Sequence, residues 1–318
     1  MRFLTALLAL GVAFATPAQA AFPEKNIDFV IPYGPGGGFD TLTRKMIPYM
    51  EEYFAKQGSK ISVVPVNMPG ASGNKAAAFT SRSKPDGYTI QIFNIPGHGL
   101  GYITGKDSGY DITKMTWINQ VGVDTYVVIT SAAGDLKSID NIMNLGRDIK
   151  VPEQGPGSTS NMANKIVWTT LGKGAEYIYG YKSSQEYATA VLRGDGDLTM
   201  VVVGSAKRYN KAGDYNVVAH FNAQVDPAFT NAVNGAALGK PELDEVNLLR
   251  MVAGPPGMSP EVTNTLHAAL KYAIEHPELQ KWAADTQNGV VSSESPEAAE
   301  KRLMRALTLY KQFADIFK

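Results

Sequence analysis

Cysteine is absent from this sequence. That excludes structural disulfides, a lipid-anchoring cysteine, thiolate metal sites and a thiol nucleophile. Histidine is scarce: His98, His220, His267 and His276 show no metal-ligand spacing. Neither sign of charge dominates, with 30 basic and 30 acidic residues, and no basic stripe or charge block occurs. Nucleic acid and anionic membrane surfaces are therefore not expected partners. Beyond the N-terminus there is no apolar run long enough to span a bilayer. Low-complexity tracts and solenoid-period repeats are missing too.

What is present begins with MRFLTALLALGVAFATPAQA: one basic residue, an apolar run, then Ala18-Gln19-Ala20. That pattern predicts a secretory signal peptide over residues 1–20, cleaved after Ala20. The mature chain would hold 318 minus 20, or 298, residues. This is enough for two domains stabilised by ordinary core burial. An exported chain without cysteine fits a Gram-negative periplasm.

Apolar β-rich segments alternate with helical ones, which predicts α/β domains with largely parallel sheets. Strands are expected at 28–31, 61–65, 89–93, 116–121, 125–129, 149–151, 176–179, 198–203 and 217–221. Helices are expected at 41–54, 73–82, 139–145, 160–171, 185–193, 262–275 and 296–317. On the first helix Leu42, Met46, Met50 and Tyr53 recur at helical spacing, and Pro48 is expected to kink it.

The strongest local signal is IPYGPGGGFDT, residues 31–41, between the first strand and the first helix. Consecutive glycines open backbone conformations closed to other residues and let an incoming group touch the main chain. The free N–H groups of the helix's first turn then favour an anion, with Asp40 or Thr41 as the expected cap. Neither rival motif fits: G-x-G-x-x-G fails at Phe39, and no Gly-Lys-Ser/Thr follows. A second turn, QGPGSTSN at residues 154–161, repeats the device in the other half of the chain. Two facing helix ends would hold one small anion between two domains. Catalysis finds little support. Ser81-Arg82-Ser83-Lys84 matches S-x-x-K without its partner motifs, and no G-x-S-x-G elbow occurs. An exported hydrolase is therefore a distant alternative, and no cofactor is expected.

Several stretches in register, FPEKNIDFVIPYGPGGGFDTLTRKMIPYM, VPVNMPGASGNKAAAFTSRSKPDGYTI, GPGSTSNMANKI, YGYKSSQEYATAVLRGDGDL and AGPPGMSPEVTNTLHAALKYAIEHPELQKWAADTQ, resemble the solute receptors of tripartite tricarboxylate transporters, the Bug family. The resemblance covers essentially the whole mature chain. It implies an α/β, two-domain periplasmic-binding-protein fold of type II-like form with a hinged ligand cleft. Residues 21–122 plus 247–318 would form the first domain and 123–246 the second. It also implies delivery of a small organic carboxylate (di- or tricarboxylate, or aromatic acid) to the transporter's membrane permease, by a monomer that is not an enzyme. Handing the ligand signal to a two-component receptor is the alternative role.

Carried onto this sequence, the resemblance assigns ligand contacts to Tyr33, Gly36, Gly37, Gly38 and Asp40. Gly70, Ala71, Ser72 and Gly73 would lie near the same rim. Ser158, Thr159, Ser160 and Asn161 would contribute from the second domain, with Tyr181, Lys182 and Ser183. Lys182 is the one nearby cation expected, and Asn94 and His98 are candidates at a strand end. Relatives commonly place an Asp-Asn pair where Val201 and Val202 stand, ahead of Ser205, and an arginine where Met68 stands. Val201 would thus relieve repulsion toward a second carboxylate or form an apolar wall, a choice that disfavours amino-acid ligands.

Overall fold

The structure is a computed structural model, described here for residues 22–286 and 293–317. The expected signal peptide and its cleavage point lie outside the described residues. Among the described residues there are nine strands: β1 (Ile27–Ile31), β2 (Val63–Asn67), β3 (Thr89–Ile95), β4 (Thr116–Ser131), β5 (Ile149–Glu153), β6 (Ala175–Tyr179), β7 (Leu198–Val202), β8 (Tyr215–Phe221) and β9 (Asn247–Gly254). The α-helices are α1 (Gly38–Lys56), α2 (Asn74–Ser81), α3 (Leu100–Thr104), α4 (Ile139–Met143), α5 (Thr159–Thr170), α6 (Ser184–Arg193), α7 (Val203–Tyr209), α8 (Pro260–Glu275), α9 (Pro277–Thr286) and α10 (Pro296–Lys311).

The strands divide into two sets with one strand order. In the first, the order is β2-β1-β3-β9-β4. In the second, β6 pairs with β5, and β4 lies between β7 and β8. Asp197 N donates to Lys150 O at 2.8 Å and Thr199 Oγ1 to Pro152 O at 3.0 Å, which sets β5 beside β7. The second order is therefore β6-β5-β7-β4-β8. Each set has its first strand flanked by its second and third, and then an antiparallel strand, β9 in the first set and β4 in the second. The two glycine-rich turns follow β1 and β5, which hold equivalent places.

Two expectations are corrected. The sheets are mixed: the β1–β2, β1–β3 and β5–β6 ladders are parallel, while β3–β9, β9–β4, β4–β7 and β4–β8 are antiparallel. Strand β9 in the first set and strand β4 in the second run against the strands they join, β3 and β7. The segments read as separate strands at 116–121 and 125–129 form one strand, β4. It passes through Gly122 with register shifts on either side of Asn119 and Gln120. Its first part pairs with β9 and its last with β7 and β8. The return strand β9 was not expected.

Helical spacing reads α1 well. Leu42, Met46 and Met50 are fully buried, and Tyr53 is half-buried beside a buried Phe54. The helix runs on through Pro48. Burying such a stripe against the sheet contributes roughly 1.5–3 kcal/mol per large side chain. Helix α8 packs on α1, and Tyr310 on α10 donates its hydroxyl to Asn247 O, tying the C-terminal helices to β9.

Candidate functional site

The first turn is built from the inside. Gly36 has φ +82°, a left-handed backbone that glycine adopts without Cβ strain. Gly37 occupies the N-cap of α1 with no side chain to fill it. Asp40, in the helix's first turn, reaches back: Oδ2 accepts from Gly36 N at 2.8 Å, and Oδ1 accepts from Arg44 Nε and Asn67 Nδ2, both at 2.9 Å. Burial alone would raise the Asp40 pKa, but these donors and the Arg44 charge outweigh it and hold the carboxyl below the usual range. Asp40 is thus neither the cap nor a wall of the cleft. It is the buried strut that shapes the loop.

The second turn uses the same arrangement. Ser158 caps α5 by accepting from Asn161 N at 3.3 Å, while Asn161 Oδ1 accepts from Gly157 N at 3.4 Å. Asn161 is buried behind the turn, so its assignment to the ligand is corrected in the same way. A third helix start repeats it: Ser183 accepts from Glu186 N, and Glu186 Oε2 accepts from Lys182 N at 2.7 Å. In each case a side chain one turn in satisfies the N–H just outside the helix, a capping-box logic that leaves first-turn donors for another group.

These starts of α1, α5 and α6 open onto one cleft of about 890 Å³. Of the expected residues, Tyr33, Gly36, Gly37, Gly38, Ser72, Ser158, Thr159, Ser160, Lys182 and Ser205 line it. Tyr181 does not; it packs against the smaller apolar cluster around Val127 and Val201. Val201 is 1% exposed in that cluster and pairs with Val127 of β4, so it forms no wall. Successive strand side chains face opposite ways, and its neighbour Val202 is the one on the cleft. Gly70 and Gly73 line the cleft beside Ser72, and residues 70–73 all hold positive φ. His98 is fully buried against this loop rather than facing the cleft. Its Nδ1 accepts from Asn94 N at 2.9 Å, and burial pushes its pKa down to about 3, so the ring is neutral.

Three side chains connect the two walls. Thr159 Oγ1 donates to Asn94 Oδ1 at 2.7 Å, and Asn94 Nδ2 donates to the Tyr33 hydroxyl at 2.8 Å. Burial pushes the Tyr33 phenol up to about 12, against a smaller opposing effect of Asn94, so it stays protonated. Because it accepts from Asn94, its proton is available to a ligand oxygen. Ser160 behaves differently from expectation, since its Oγ donates inward to Glu153 Oε2 at 2.7 Å. Burial pushes Glu153 up to about 7, although Ser160, Asn164 and the Gln154 N–H pull the other way.

The charges of the cleft were only partly foreseen. Lys182, Arg208 and Arg250 line it, opposed by Asp124. Arg208 donates to Ser205 Oγ at 2.9 Å. Arg250 and Asp124 are 5% and 6% exposed and approach to 2.6 Å. Sequence reasoning passed over Arg250, yet a lone guanidinium inside NLLRMVAG is itself a signal. A charge buried in a strand is costly unless paired or used.

Two α/β halves of one strand order, facing each other across a cleft lined by helix N-termini, define a two-domain periplasmic-binding-protein fold. A solved periplasmic binding protein, BugD, superposes with a TM-score of 0.78 at 20% identity, covering 92% of this chain and 98% of that one. MatC from Rhodopseudomonas palustris with bound malate does so at 0.77 and 18% identity, covering 93% and 100%. A UPF0065 protein from the gbd 5' region of Cupriavidus necator is 26% identical over 285 residues, 87% of this chain and 83% of its own. Residues 50–305 match the family described as tripartite tricarboxylate transporter family receptor, and the chain belongs to that family.

Proposed function

We propose that this chain is a periplasmic solute-binding protein. It captures one small organic carboxylate by closing its two halves and delivers it, as a monomer, to the permease of a tripartite tricarboxylate transporter. The observation that carries this reading is the cleft itself. Helix starts from both halves present N–H donors to one space, and three cations against one acid leave it net positive. Both features favour a small anion, through the helix dipoles and through direct charge. The excess of two positive charges suits a dicarboxylate, and the MatC structure with malate lends support. We place the division between domains at Gly122 and Asn247, where β4 and β9 cross together.

The test is a thermal-shift screen of the chain from Ala21 onward against di- and tricarboxylates, aromatic acids, amino acids and sugars, followed by calorimetry. A ligand that binds only the folded state raises the melting temperature by mass action. Saturating shifts with carboxylates, absent with sugars, are expected. Shifts confined to sugars, or none with a folded protein, would overturn the reading.

A further inference from the structure

The glycine turns explain how one carboxylate is held but not how ligands are told apart. Two buried charged groups of the cleft, Arg250 and Asp124, lie elsewhere, on the two strands that cross between the halves. Gly122 of β4 faces Arg250 of β9 and Asp124 faces Leu248, so Asp124 and Arg250 are diagonal neighbours on one face of the ladder. The Phe39 ring lies 5.2 Å from the guanidinium carbon. The two charges touch at 2.6 Å, yet without hydrogen-bond alignment. Arg250 Nε and Nη1 have no acceptor, and Asp124 Oδ2 is met by the Nη2 charge alone, with no aligned hydrogen bond.

Unmet buried donors and acceptors are rare in native proteins, and each is expensive. Here two donors lack an acceptor, and the carboxylate oxygen beside them is ion-paired without an aligned hydrogen bond, within a single contact that lines the cleft. A bare carboxylate would satisfy the donors but set a negative charge beside Asp124. A carboxylate with a hydroxyl or ammonium on the adjacent carbon would satisfy both sides, the carboxylate taking the guanidinium and the substituent donating to Asp124. We propose that the Arg250–Asp124 pair determines specificity by selecting carboxylates that carry such a donor on the neighbouring carbon. This rests on the carboxylate-binding reading and deepens it. It also reopens amino-acid ligands, which the valines at 201 and 202 had disfavoured.

Calorimetry on the mature chain with matched acids tests this. L-malate is compared with succinate, L-aspartate with succinate, and mandelate with phenylacetate. In whichever pair binds, the substituted acid should bind about 10- to 100-fold tighter. A preference for malate alone assigns a hydroxyl donor, and for aspartate alone an ammonium. Members of a binding pair within twofold of each other would overturn the inference and leave carboxylate binding standing. If no carboxylate binds the folded chain, the proposed function falls, and this with it. A double variant, Asp124→Leu with Arg250→Met, removes the charge pair without stranding either partner, a replacement that folds often. It should bind every acid more weakly, since the guanidinium that takes the carboxylate is gone, but with the ratio between substituted and unsubstituted acids collapsed to within twofold. Discrimination that survives the double variant would overturn the assignment. Should that variant fail to fold, the wild-type comparison decides.

Discussion

At the residue scale the first turn separates two uses of glycine. Gly36 is needed for its backbone, since a residue with a Cβ at φ +82° is strained although the space around it is open. Gly37 has an ordinary extended conformation, φ −75° and ψ 168°, and a Cβ there would meet only Gly34 O at 3.7 Å. Its lack of a side chain therefore serves the cleft rather than the fold. Gly36→Ala should destabilise the protein by about 1–2 kcal/mol in urea titration. Gly37→Val should change stability by less than about 1 kcal/mol, as expected of an N-cap glycine, while abolishing ligand binding in calorimetry. Binding retained by Gly37→Val would mean that the turn is only structural.

At the element scale, what the sequence made legible was local. Turns carry their own chemistry in glycine and hydroxyl residues, so both glycine-rich helix starts were readable, as was the buried stripe of α1. What escaped depends on partners distant in the chain. Strand β9 is recognisable only once β3 and β4 flank it, so Arg250 went unnoticed. Strand β4 reads as broken at Gly122 because its bulges disrupt alternation. The side on which Val201 or Val202 falls turns on a register that periodicity leaves open. Asp40 and Asn161 belong to the two turns the sequence singled out, but their direction depends on a loop that folds over them.

Strand β5 also ends in a buried acid with a measurable consequence. Glu153 has its folded pKa pushed from 4.5 to about 7. Between these values the unfolded chain has lost the proton that the folded chain keeps, so this group makes stability fall as pH rises, by on the order of 3 kcal/mol in all. His98, held down at about 3 from 6.5, acts in the opposite sense because the unfolded chain gains the proton first. The wild-type curve therefore mixes the two, and the comparison with Glu153→Gln isolates the carboxyl. The amide meets the same donors poorly at every pH, which adds a constant offset. The stability of wild type relative to the variant should decline from pH 4.5 to pH 8 in denaturant titrations. A pH-independent difference would show that folding leaves the Glu153 pKa unshifted.

At the scale of the whole molecule, two halves of one design meet through a small polar bridge. Thr159 at the start of α5 donates to Asn94 at the end of β3, and Gly97 lies where a Cβ would come within 3.0 Å of Thr159 Oγ1. The absence of a side chain at residue 97 lets the second half approach. A further tie runs from Lys165 Nζ to Ile316 O at 3.0 Å. Since the Thr159 hydroxyl is directed to Asn94, its contribution to binding should come through closure rather than ligand contact. Thr159→Val keeps the shape and removes the donor, leaving the Asn94 oxygen unmet whenever the halves meet. That destabilises the bridged state by about 1–3 kcal/mol. Closure is common to all ligands, so every ligand should lose affinity by the same factor. Small-angle scattering of the ligand-free variant should report a larger radius of gyration than wild type. Penalties that differ from ligand to ligand would instead identify Thr159 as a direct contact, and unchanged affinity with an unchanged radius would mean that the bridge does not hold the halves together.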